Sequence, residues 1–163
     1  MIANAQTPTH FDCDAPVDQF RTEAQIVALP VTVVGTISAV AMASKDYVPS
    51  ASVAVVSEDD KNGVGFQMNS PADDATELDV DHIEMKRGVL NETPQGRVPS
   101  AGAMPFALSV SKLGDVTVSV GTIVFTAKFA PVARMKVAAT CTSGHFKYLG
   151  SLSNAEGATI STT

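Results

Sequence analysis

The residues best equipped for chemistry sit at the two ends of the chain. His10 and Cys13 lie three apart near the start, and Cys141 and His145 lie four apart near the end. Together they offer the ligand number of a tetrahedral zinc ion, at spacings usual for zinc. A zinc ion would pin the first residues to the last long strand, but such pairs also arise easily by chance. The same cysteines allow one long-range disulfide or two free thiols. A disulfide framework would show more cysteines at closer spacing, so two unpaired thiols are expected and no metal. As a catalytic pair, Cys141 and His145 on one strand would share a face about 13 Å apart. That exceeds the hydrogen-bond reach an activated thiol needs.

Two acidic groups come next. Glu58-x-Asp60-x-Asn62-Gly63 matches the first half of a calcium loop, but it begins with Glu and has Asn69 where a bidentate Glu belongs. An ordinary hairpin turn accounts for the same residues. Glu77, Asp79 and Asp81 alternate with Leu78 and Val80, which sets three carboxylates on one face of a strand. Like charges in a row are tolerated when they meet water, a cation or basic residues of a neighbour. A solvated face is the first expectation and a salt-bridged subunit contact the second. A glycosidase or sugar-binding face would add stacking aromatics. Tryptophan is absent and aromatic residues make up 6%. With no Gly-x-Ser-x-Gly elbow either, the chain is expected not to be an enzyme, and to need no cofactor or small-molecule substrate.

The elements that must position these residues are strands. Val116, Val118 and Val120, then Ile123, Phe125 and Ala127, alternate with Ser, Thr and other residues across Gly121, the period of a half-buried strand. Met135, Val137 and Ala139 do the same, and Phe146, Tyr148 and Leu152 mark a last long strand. Asn62-Gly63 supplies a hairpin turn. From Ile26 to Ala43 runs a stretch of 18 residues without a charge. Its Pro30, Gly35 and β-branched residues favour two buried strands meeting near Gly35 over a membrane span. Asn91 to Pro105, rich in Pro and Gly, reads as a long loop. Val31–Ile37 resembles Val116–Ile123; a duplicated half-domain would place them as equivalent strands in two sheets, and chance recurrence is the plainer account. No window sustains helical spacing. The expected fold is all-β: a single antiparallel β-sandwich, jelly roll or Greek-key barrel of about eight to ten strands over residues 23–163. Residues 1–22, turn-rich and unpatterned, are expected to form an extended N-terminal arm.

Composition narrows the role. The chain has 163 residues, a formal net charge of −6 and only 17% charged residues, against roughly 25% in ordinary soluble domains. Its eleven Lys and Arg residues are scattered, so nucleic-acid phosphates lack a cluster to bind. The first twenty residues carry no apolar signal-peptide core, which reads as synthesis in the cytoplasm. A β domain too poor in charge to hydrate its whole exterior is expected to cover part of it with copies of itself or neighbouring coat subunits. The function expected is a structural virion protein, capsid-stabilising, decoration or minor coat, from a bacteriophage or other virus. The alternative is a surface or secreted adhesion module.

Overall fold

A computed structural model describes residues 6–43, 46–72, 75–132 and 134–162. Alternating side chains become strands throughout. Along Asp115–Val120, the three valines are buried while Asp115 and Thr117 face solvent. In chain order the strands are β1 (Gln6–Val27), β2 (Val31–Met42), β3 (Ser50–Ser57), β4 (Gly63–Asn69), β5 (Glu77–Lys86), β6 (Val89–Pro99), β7 (Ala103–Val110), β8 (Asp115–Val120), β9 (Ile123–Lys128), β10 (Met135–Ser153) and β11 (Ala155–Thr162). All pairings are antiparallel, and the described residues contain no helix. The fold is all-β, as expected, with one strand more than the upper count.

Two long strands cross from one layer to the other. The first part of β10 (residues 135–142) pairs with β3, and its second part (144–152) pairs with β2. β1 follows β10 along both parts, residues 20–27 beside the first and 6–15 beside the second. One layer is therefore β11, β1, β10, β3, β4, β5, β6, and the other is β1, β10, β2, β7, β8, β9. The corner is built from residues in left-handed backbone: Asp18 (φ 62°) and Ser143 (φ 49°). The Asp18 amide donates to Ser143 Oγ at 2.8 Å, and Asp18 Oδ1 accepts from the amides of Asp46 and Tyr47 at 2.9 Å each. On the far side β6 and β9 approach each other, so the sandwich nearly closes as a barrel. A methyl group added at Gly96 of β6 would lie 3.1 Å from Ile123 of β9.

The core fills the space between the layers. Phe66 of the β3 layer and Phe106 of the β2 layer meet with ring centroids 5.4 Å apart. Ile37, Val55, Val80, Leu108, Val118 and Phe146 complete it without solvent contact beyond 1%. Burying each of these side chains contributes about 1.5–3 kcal/mol. Tyr148 enters this core with its hydroxyl satisfied, donating to the Thr140 carbonyl at 2.6 Å and accepting the Ser52 amide at 3.1 Å.

Several expectations are corrected. Residues 6–22, expected as an extended arm, belong to strand β1: 6–15 and 20–22 pair with β10, and Phe11, Cys13 and Ala15 are buried. Met1–Ala5 lie outside the described residues. The uncharged stretch 26–43 is the end of β1, a turn through the cis Leu29–Pro30 bond, and β2. Gly35 breaks nothing: it faces Gly150, and a Cβ there would sit 2.2 Å from the Leu149 carbonyl oxygen. Its small size permits close approach of β10. Asn91–Pro105 is no long loop. Most of it is β6, an edge strand, where proline costs no ladder bond when its nitrogen faces outward. The two similar segments, 31–37 and 116–123, flank β7 in the same layer, so they do not occupy equivalent places in two sheets. No helix among the described residues is long and apolar enough to cross a membrane.

Candidate functional site

The two cysteines come together in space, but the histidines do not join them around a metal. Cys13 and Cys141 form a disulfide with Cα atoms 6.1 Å apart, against the expectation of two free thiols. Both sulfurs are buried at the corner, where the bond ties the second-layer part of β1 to the first-layer part of β10. The bend brings together two residues 128 apart in sequence. His145 donates instead to the Asp12 carboxylate, and this hydrogen bond holds the Asp12 carboxyl below its usual range. His10 lies two residues before Asp12 on the exposed edge of β1. No group of three His, Cys, Asp or Glu side chains fit for a metal occurs among the described residues.

The acidic groups also find partners within the chain. Asp59 Oδ1 accepts from Ser57 Oγ at 2.6 Å and from the Lys61 amide at 3.0 Å, which locks the β3–β4 turn. Glu58 pairs with Arg134, and Asp60 with Lys136. In β5, Asp79 meets Arg97 of β6 at 2.9 Å. Asp81 accepts from Asn69, while burial and the neighbouring Asp79 raise its carboxyl above the usual range. Glu77 is exposed.

Two features that the sequence pattern did not single out emerge from the pairing. The first is a cleft of about 350 Å³ between the layers, opening beside β1. Its lips are the two halves of one strand: Thr7, Thr9 and Phe11 on one side, Glu23 and Gln25 on the other. Its floor is apolar, made by Val33, Val53, Phe106, Val137 and Leu152, with Tyr148 stacked on Phe11 at 5.7 Å. Glu23 points inward because its register partner Ala139 shares the parity of the buried Val137 and Cys141. Burial raises its carboxyl, partly offset by Arg21 and His10. No hydrogen bond or ion pair holds that carboxylate among the described residues. Among the described residues it is the one carboxylate lining the cleft, whereas glycoside hydrolysis commonly uses two.

The second feature is the outer face of the β2 layer. Register places Pro8, Ser151, Val34, Ala107, Ser119 and Val124 in one lateral row across six strands. The row beside it runs Thr32, Ser109, Thr117, Thr126, with the first two hydroxyls 3.1 Å apart. Neither row contains a charge. Val34, Leu149 and Val124 stand 40%, 50% and 66% exposed on this face. Most ion pairs found lie on the other layer, at Glu84–Lys86, Asp79–Arg97, Glu58–Arg134 and Asp60–Lys136. Asp115–Lys128 and Asp12–His145 border the uncharged strip.

Compared by sequence, the chain matches no family model and no curated protein. Its shape does match solved structures. A native glycosidic hydrolase aligns with TM-score 0.56 and 11% identity over 96% of this chain and 99% of that one. The carbohydrate-binding module CBM66 from Bacillus subtilis aligns with TM-score 0.51 and 7% identity, over 89% and 95%. The CBM2 module of the evolved Dit of Lactobacillus casei BL23 phage J-1 gives TM-score 0.51 and 7% identity, covering 85% of this chain and 63% of that one. At such identities the likeness shows the fold: a β-sandwich of the jelly-roll kind, on which binding modules and hydrolases are both built.

Proposed function

We propose that the chain is a non-catalytic structural subunit of a self-assembling particle, a capsid-stabilising, decoration or minor coat protein of a phage or other virus. Its partners are copies of itself and neighbouring coat subunits. The observation that carries this is the pair of uncharged rows across the outer face of the β2 layer, and the first occupant of that strip is a second copy of the chain. Six strands at about 4.8 Å spacing make a strip about 24 Å wide with no ionised group in its central row. Exposed valines gain by leaving water, hydroxyls such as Thr32 and Ser109 keep a partner 3.1 Å away within the row, and no desolvated charge opposes the burial. The module from a phage Dit with this fold is in keeping with the assignment. A disulfide suits a protein that works at the surface of a particle outside a reducing cytoplasm. Synthesis in the host cytoplasm would then precede oxidation in the virion.

The test is mass in solution. Sedimentation of the wild-type chain should show a stable oligomer. The double variant Val34→Lys/Val124→Lys should fall to monomer and keep the β-sheet circular dichroism of the wild type, since surface substitutions change the stability of the subunit itself by about 0.5 kcal/mol or less. A wild-type chain that remains monomeric at high concentration refutes self-docking. The same disulfide and cleft would suit an adhesion module, and a monomer that binds glycans would favour that second reading.

A further inference from the structure

The two layers do not end at the same place. In the β3 layer, β1 is flanked by β11, with Thr22 opposite Thr162 and Val27 opposite Ala155. In the β2 layer, residues 6–15 of β1 pair with β10 alone among the described residues. That layer is one strand shorter, and the cleft opens where the counterpart of β11 would lie. An edge strand presents a row of backbone N–H and C=O groups ready to pair with another chain. Directly behind this edge lies the apolar floor of Val33, Val53, Phe106 and Leu152. On the opposite lip the Glu23 carboxylate faces inward without an ion pair or hydrogen bond among the described residues, while Gln25 is tied to the Glu156 carbonyl at 3.2 Å.

We propose that the edge Gln6–Ala15 and the cleft behind it take up an extended peptide segment of a neighbouring subunit as an added β-strand, its alternate apolar side chains entering the cleft and a Lys or Arg meeting Glu23. Main-chain pairing supplies affinity and the pockets for alternate side chains supply selectivity, the logic of strand addition. The open backbone edge favours a peptide over a sugar, because only a peptide can continue the ladder. The half-buried carboxylate fixes the charge of the guest, since a cation there restores what Glu23 loses by leaving water. This inference deepens the assembly reading by saying how one neighbour is held, and it concerns a different surface from the β2-layer face.

The experiment uses the full chain and a fluorescein-labelled peptide Val-Thr-Leu-Thr-Lys-Thr-Leu-Thr-Val, whose apolar residues and lysine share one face when extended. Fluorescence anisotropy should show saturable binding, and amide hydrogen exchange should slow in residues 6–15. A peptide with proline in place of the two threonines beside lysine should not bind. Glu23→Gln should weaken the lysine peptide by about three- to fivefold, the scale of a partly screened ion pair, and leave a peptide with Gln for Lys unaffected. Absence of saturable binding at millimolar peptide, equal binding of the proline peptide, or protection away from β1 would each overturn the proposal. Run in parallel on Val34→Lys/Val124→Lys, the assay separates the two ideas: peptide binding that survives in a monomer, or is missing in an oligomer, assigns the failure to one surface alone.

Discussion

Reduction of the Cys13–Cys141 bond should lower the stability of the chain more than any surface change. The bond closes a loop with a sequence separation of 128. Loop-closure entropy for that length corresponds to about 5 kcal/mol at 25 °C, the top of the usual range for disulfides. A chain of 163 residues melts with an entropy of about 0.34 kcal/mol/K, so the melting temperature should fall by about 14 °C. Burial of both sulfurs adds to the effect, because two thiols must fit where one bond lay. The assay is thermal unfolding by circular dichroism with and without a phosphine reductant, alongside the variant Cys13→Ala/Cys141→Ala. Alkylation of the unreduced protein after unfolding should find no free thiol. Two alkylated cysteines, or a melting temperature that moves by less than about 2 °C on reduction, would refute the reasoning.

Two further outcomes follow from buried polar groups. Tyr148→Phe strands the Ser52 amide and the Thr140 carbonyl inside the sandwich, so unfolding in guanidinium should show a loss of about 1–3 kcal/mol. Glu23 has its folded pKa raised by burial, so its ionisation opposes folding. That opposition is absent below the unfolded pKa and develops as pH rises through the folded value. Glu23→Gln should therefore raise the denaturation midpoint at pH 7 relative to wild type and leave a smaller difference near pH 3. A gain that is the same at both pH values contradicts the burial of this carboxylate.

What the sequence disclosed depended on how far each residue must reach. Val116–Val120 and Met135–Ala139 were legible because their alternation is local, and Asn62-Gly63 because a two-residue turn is decided by its own backbone. The misread N-terminus carried a signal of the same kind: Phe11-Asp12-Cys13-Asp14-Ala15 alternates apolar and acidic residues, and the apolar set is buried. Pro8 and Pro16 around it obscured the pattern, as Pro94 and Pro99 did for β6, although edge strands accept proline. The disulfide could not be read from spacing, because its closure depends on where β1 and β10 bend. The site was least legible of all. Glu23 and Thr9 have no local signature, and they share a cleft only because one strand serves both layers. The uncharged row across the β2 layer exists only once the register of six strands is known.

That shared strand has a mechanical meaning. Because β1 and β10 run unbroken through the corner, a load applied to one layer reaches the other along covalent bonds as well as through side-chain contact. The layers cannot shear past each other unless both strands tear or rebend together, and the disulfide rivets the point where they turn. A subunit so built behaves under tension as one spring with two leaves.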